Sequence, residues 1–241
     1  MRRGATSITL VGLLFLSATW SVTPALAGAA FDKQHAGAAP GQEHKAPPRP
    51  AFTADEQSHA KVPGFHDIRF FADSTEAFTR ALPTADGPWL ALSGGGDDGA
   101  FGAGYLAGWS QSGDRPDFAV VTGVSTGALM APFVFLGSRY DDALRKSYTE
   151  ITAADVFEFG STPESMLDDW PLKKTIEKRV TPELLQAIAA EQLKGRRLFV
   201  VTSNLDAGRP VVWNMGAIAA QGGDKGLALF REVLGASSSI P

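Results

Sequence analysis

From about residue 88 onward, short apolar runs alternate with longer stretches in which apolar positions recur at helical spacing. Trp89–Ser93 (WLALS) is apolar and bounded by Pro88 and three glycines, the pattern of a buried strand. Ala100–Gln111 reads as a glycine-loosened helix, and Phe118–Thr122 (FAVVT) as a second strand. Ala128–Leu136 is apolar and helix-capable. Thr181-Pro182-Glu183 opens a helix with a hydroxyl N-cap and Pro at the first position; it runs to about Lys194, where Gly195 ends it. Leu198–Thr202 is a third strand, and Val211-Val212-Trp213 a fourth, reached through the turn Asp206-Ala207-Gly208. A last helix covers about Gly226 to Leu234. Strand–helix units in succession predict an α/β fold with parallel strands and right-handed crossovers.

The first 63 residues follow another pattern. Arg2 and Arg3 precede the apolar run Ile8–Leu16, and Ala25-Leu26-Ala27 is a small-residue exit, so residues 1–27 read as a Sec-type signal peptide. The apolar run falls short of the roughly 20 residues a membrane-spanning anchor needs. Residues 28–63 hold five prolines and few large apolar side chains, the composition of a disordered Pro/Ala-rich linker. The folded part is expected to begin near Gly64 and to occupy residues 64–241. An exported chain is periplasmic or secreted. With no Cys among its 241 residues it has no disulfide, no thiol nucleophile and no acylated lipoprotein cysteine. Net charge is −4, and −6 once residues 1–27 with their two Arg are removed, which argues against nucleic acid as a partner.

Two glycine-rich segments carry the candidate chemistry. Gly123-Val124-Ser125-Thr126-Gly127 is a G-x-S-x-G between an apolar strand and an apolar helix, the context of a nucleophile elbow. Such a turn holds the Ser125 hydroxyl above the sheet, at a helix N-terminus that favours developing negative charge. Ser93-Gly94-Gly95-Gly96-Asp97-Asp98-Gly99 also follows a strand and opens a helix. Glycines there let backbone N–H groups converge on an oxyanion, joined by the N–H of Thr126, the residue after the nucleophile. The same letters fit a dinucleotide-binding G-x-G-x-x-G. However, Asp117, at the expected distance, starts the next strand rather than ending it, and Asp97 and Asp98 would face a pyrophosphate. No Lys follows Gly99, so a Walker A loop fails as well. No cofactor and no metal site is expected.

The base is the difficulty. All four His (His35, His44, His59, His66) precede the first strand, and the first three fall in the linker, where they read as solvated. A Ser-His-Asp triad in the order Ser, acid, His cannot be assembled from this chain. Either Ser125 is not catalytic or a carboxylate takes its proton.

The glycine loop, the G-x-S-x-G, the absence of His, and the later segments Asn204–Trp213 and Ala236–Pro241 together resemble the patatin-like phospholipase family, over about residue 64 to the end. The resemblance implies a three-layer α/β/α fold with a mainly parallel sheet. It also implies a serine acyl-ester hydrolase of phospholipase A type acting through a Ser–Asp dyad: Ser125 attacks the ester carbonyl and the Asp accepts its proton. A lipid or other acyl ester is the implied substrate, with peripheral membrane contact. The chain departs from the family twice. Asp98 stands where the loop often carries a basic residue, which favours a neutral ester over an anionic phosphate. The family's dyad Asp lies in an Asp-Gly-Gly or Asp-Gly-Ala downstream of the Ala-Ser-x-x-x-Pro stretch, and none follows Ser125 here. The resemblance therefore implies a sequence incomplete at its C-terminus and nearly inactive as it stands. Asp206 is the substitute base within the chain, with a plain turn as its competing role. Asp141, Asp142, Asp168 and Asp169 read as solvated acids, and Trp109, Phe133 and Phe135 as core. The irregular stretch 151–180 is a lid, an acyl-chain wall or a connector. A lipid- or partner-binding module without turnover is the alternative function.

Overall fold

A computed structural model describes residues 53, 55, 56, 60–156, 158–162, 165–168 and 170–239. Residues 1–27, nearly all of the expected linker with His35, His44 and His59, and Phe157, Pro163, Glu164, Asp169, Ile240 and Pro241 lie outside the described residues.

Seven strands and eight helices succeed one another in these residues. They are β1 (Arg69–Phe71), α1 (Thr75–Arg80), β2 (Trp89–Leu92), α2 (Gly99–Gln111), β3 (Val120–Gly123), α3 (Thr126–Phe135) and α4 (Asp141–Thr149). There follow β4 (Glu158–Thr162), β5 (Ser165–Asp168), α5 (Trp170–Arg179), α6 (Pro182–Leu193), β6 (Arg197–Asn204), β7 (Arg209–Asn214), α7 (Met215–Gln221) and α8 (Gly223–Ser238). Five strands form one sheet in the order β1-β7-β6-β3-β2. Its centre, β2-β3-β6, is parallel as expected, because helices intervene between those strands. The sheet is mixed beyond that: β7 runs antiparallel to β6 because a four-residue turn cannot return the chain for a parallel pairing, and β1 is antiparallel to β7. The stretch 151–180 resolves into a 3-10 turn, a β4–β5 hairpin and α5.

The chain steps in one direction from β2 to β3 to β6, so right-handed crossovers put the connecting helices on one face of the sheet. Val121, Leu198 and Val200 point into that face and join Ala128, Ala131, Ile188, Ile218 and Phe230 in the main core, all with essentially no exposed surface. α3 is apolar on every side and nine of its ten residues are buried, as a central helix requires. The opposite face carries Val120, Phe199, Phe70 and Trp89, with Phe78 of α1 packed edge-on to Phe70 and to Trp89.

The α6 boundaries follow the sequence signals. Thr181 Oγ1 accepts the Leu184 N–H at 3.3 Å, Pro182 begins the helix, and Gly195 turns with φ +88°. Phe133 and Phe135 are core residues and Trp109 packs edge-on against Phe118, as expected. Asp141 departs from expectation. It is not solvated: its side chain is 17% exposed, and its carboxylate binds the Arg115 guanidinium at 2.6 Å, because the start of α4 folds back over the end of α2. Asp142 is exposed and faces Arg145.

Candidate functional site

β3 ends at Gly123, and the chain reverses into α3 within two residues. Ser125 sits at the bend with φ 54° and ψ −126°. With Asp67 it is one of two non-glycine residues of positive φ among the described residues. Such backbone costs of order 1–3 kcal/mol and persists only where the surroundings enforce it. Here the surroundings are identifiable. A Cβ on Gly123 would overlap the Gly127 carbonyl, and one on Gly127 would overlap the carbonyl oxygens of Leu92 and Ser93. The two glycines of the motif therefore allow strand, helix and the end of β2 to meet backbone to backbone.

α8 holds the bend from the other side. The Ser125 N–H donates to Ser237 Oγ at 3.0 Å, Ser237 Oγ donates to the Val201 carbonyl at 2.7 Å, and Ser238 Oγ donates to the Ser125 carbonyl at 3.2 Å. Sequence reasoning ends the last helix at about Leu234. α8 runs one turn further, to Ser238, and that turn carries both serines. The Ala236–Pro241 segment is the signal that marks them.

The glycine loop lies against this bend. Gly94 is close enough that a Cβ there would stand 3.2 Å from Ser125 Cβ and 3.9 Å from Ser125 Oγ. Gly96 turns with φ +56°, and Asp97 and Asp98 follow in a 3-10 turn whose Asp98 N–H bonds the Gly95 carbonyl at 3.0 Å. The loop is exposed, Ser125 is half-buried, and the amides of Gly94, Gly95 and Thr126 donate to no acceptor among the described residues.

Gly99 is buried, and its smallness serves another purpose than anion binding. A Cβ there would overlap Thr126 Oγ1 and approach Tyr148 Cε1 to 2.7 Å. Tyr148, which sequence reasoning passes over, closes a ring of hydrogen bonds. Its hydroxyl donates to the Thr126 carbonyl at 2.9 Å and lies 2.8 Å from Thr126 Oγ1. With the single tyrosine proton spent on the carbonyl, the threonine hydroxyl must be the donor of the second bond. Burial pushes the Tyr148 hydroxyl up to about 12, so it stays a donor at neutral pH, although the Thr126 bond pulls the other way. Tyr148→Phe leaves the buried Thr126 hydroxyl without its acceptor. It is expected to lower stability by about 1–3 kcal/mol, read from the urea midpoint, and to cost less when Thr126→Val is already present. Equal losses in both backgrounds would show that the ring is not what holds the two residues.

Asp206 lies in the exposed β6–β7 turn, its expected structural place. Ser125 is tied through Ser237 to Val201, and β6 continues three residues beyond Val201, about 10 Å at 3.3 Å per residue, before that turn begins. The structure thus brings Gly94, Gly95, Gly99 and Thr126 to Ser125 and leaves Asp206 apart. Asp98-Gly99-Ala100 is itself an Asp-Gly-Ala, within the glycine loop rather than downstream; its carboxylate folds back beside Gly95, where a Cβ would stand 3.9 Å from Oδ2. The Ser125 hydroxyl has no hydrogen-bond partner among the described residues. Leu129, Phe133, Tyr148, Leu172, Ile176 and Val180 line a small apolar cleft of about 60 Å³. Among the described residues no group of three or more His, Asp or Glu side chains could hold a metal ion.

Curated proteins and solved structures return no match to this sequence. A family model described as Patatin-like phospholipase matches residues 90–241, which contain both glycine-rich turns, the parallel centre of the sheet and α8. The chain belongs to the patatin-like phospholipase family, a family of lipid acyl hydrolases.

Proposed function

We propose that this protein is a serine acyl-ester hydrolase, of phospholipase A type, in which Ser125 is the nucleophile. The observation that carries this reading is the strained, half-buried serine at a strand-to-helix bend, with the unbonded amides of an exposed glycine loop beside it. Ser125 Oγ attacks the carbonyl carbon of the ester. The carbonyl oxygen takes the negative charge and accepts from the N–H groups of Gly95, Gly96 and Thr126, which are already free of other partners or held at a sharp turn. Collapse of that intermediate expels the alcohol, and water then releases the acid from Ser125. The apolar cleft under α3 offers the acyl chain a wall.

A dyad also needs a carboxylate within hydrogen-bond reach of Oγ. No described carboxylate bonds that hydroxyl, and the proton acceptor we propose for it is an aspartate, as the family resemblance implies. The lone hydroxyl is also what favours the second reading, a lipid-holding module without turnover. The segments at residues 1–27 support export of the protein.

A fluorophosphonate probe, which reacts with activated serines, decides between the two. Labelling of the protein, abolished in Ser125→Ala, is the expected result. Labelling that survives Ser125→Ala unchanged would overturn the assignment, and a protein that binds lipid but never labels would be the binding module. Hydrolysis without the base is expected to run about 10²–10⁴-fold below that with it.

A further inference from the structure

α2 begins where the glycine loop ends, and its thirteen residues, GAFGAGYLAGWSQ, include no charged side chain. One side is core, with Gly99, Ala103 and Leu106 buried. The other side is exposed and consists of Ala100, Phe101, Gly104, Tyr105 and Gly108, with the polar Gln111 at its end. Phe101 is 66% exposed and Tyr105 59%. A helix at a water boundary ordinarily places charged residues there, and this one places two aromatic rings among residues too small to shield them. The rings continue inward: Phe101 stacks near Tyr105, Tyr105 meets Trp109 edge-on, and Trp109 meets the buried Phe118. The outer rings therefore project from an anchored base.

The position of this face matters as much as its composition. Gly99, two residues before Phe101, abuts Thr126, the neighbour of Ser125. Val124, the other neighbour, is exposed. Gly99 and Val124 follow the C-terminal ends of β2 and β3, the end at which Ser125 stands. The acids adjoining this face in sequence are Asp97 and Asp98, both exposed. Apolar rings with carboxylates repel an anionic bilayer and are tolerated by a zwitterionic one, and aromatic rings suit the headgroup level.

We propose that the outer face of α2, with Val124, is an interfacial docking surface that seats the protein on zwitterionic lipid with the Ser125 bend facing the bilayer. The purpose of that docking rests on the hydrolase reading above; the docking itself does not need Ser125 to react.

Because the chain has no cysteine, single substitutions carry one environment-sensitive nitrobenzoxadiazole label each. Labels at Phe101→Cys and Tyr105→Cys are expected to shift to the blue, and to be quenched by spin-labelled lipid, when the full chain meets phosphatidylcholine vesicles. A label at Leu193→Cys reports the opposite end of the sheet, since Leu193 is 84% exposed just before β6 begins, and is expected not to respond. Phosphatidylglycerol vesicles are expected to give the weaker response at low salt, with the gap narrowing as salt screens the carboxylates. Phe101→Ser with Tyr105→Ser is expected to weaken vesicle binding about tenfold or more at an unchanged melting temperature. Labels at 101 and 105 that stay in water, an equal response at 193, or a preference for phosphatidylglycerol would each overturn the proposal. So would a change at 101 and 105 without vesicles that tracks protein concentration, which would make this face a contact between copies. Vesicle binding that survives Ser125→Ala while fluorophosphonate never labels would sink the hydrolase reading and leave the docking surface standing.

Discussion

Gly127→Ala is expected to destabilise the protein by about 4 kcal/mol or more, beyond the usual range for one added methyl group, and to abolish labelling at Ser125. The added Cβ has no side chain to push aside. It meets the carbonyl oxygens of Leu92 and Ser93, which are backbone of the neighbouring strand, while Gly127 itself is the first full turn of the helix that Ser125 caps. Relief requires α3 to move off the end of β2, and α3 is the most buried helix in the fold, so the shift opens the core as well. A fall in the urea midpoint with an unchanged slope reports the loss. A variant with the wild-type midpoint and wild-type labelling would mean that the strand–helix contact is looser than these positions require. Gly104, where a Cβ meets nothing, is the matched control.

Arg115→Met is expected to cost about 3–5 kcal/mol, against about 0–1 kcal/mol for Arg80→Met. Both arginines make an ion pair with the same 2.6 Å separation, so distance does not distinguish them. Burial does. The Arg80 and Glu76 side chains are mostly in water, whereas Arg115 is 3% exposed. Arg115 also donates to Ser110 Oγ at 2.9 Å and to the carbonyls of Leu106 and Val134, so one guanidinium ties α2, α3 and the start of α4. Removing it strands the largely buried Asp141 carboxylate, while the Leu106 and Val134 carbonyls keep the Ser110 hydroxyl and the Gly137 N–H as donors. Urea midpoints of the two variants, measured at low and high salt, test the difference. Equal losses would show that the buried cluster is already wetted.

The strands and the elbow were legible because each is a local pattern: WLAL between Pro88 and three glycines, VVTG running into Ser125, and Thr181-Pro182 opening α6. The parallel centre followed from helices standing between the strands. What escaped is of two kinds. β1 is three residues long at a sheet edge, too short for period-2 alternation to stand out, and β4–β5 contains Gly160 and a proline. The remaining omissions are contacts between distant residues. Nothing near Tyr148 announces that its hydroxyl ends at Thr126, and nothing near Asp141 announces Arg115. Gly99 looked like part of an anion-binding loop because a glycine needed for close packing has the same letter as one needed for backbone freedom. Asp98-Gly99-Ala100 shows the same ambiguity, since a three-letter motif acquires meaning only from its place in the sheet.

The bond from the Ser125 amide to Ser237 spans 112 residues of chain. Synthesis proceeds from the N-terminus, so the bend and both glycine turns leave the ribosome long before the residue that latches them. A nascent chain that has emerged as far as α7 already contains the hydroxyl and its loop but cannot fasten it. The Ser125 bend is thereby left unfastened until α8 has been made and has docked, so a helix more than a hundred residues downstream decides when the hydroxyl is set in place.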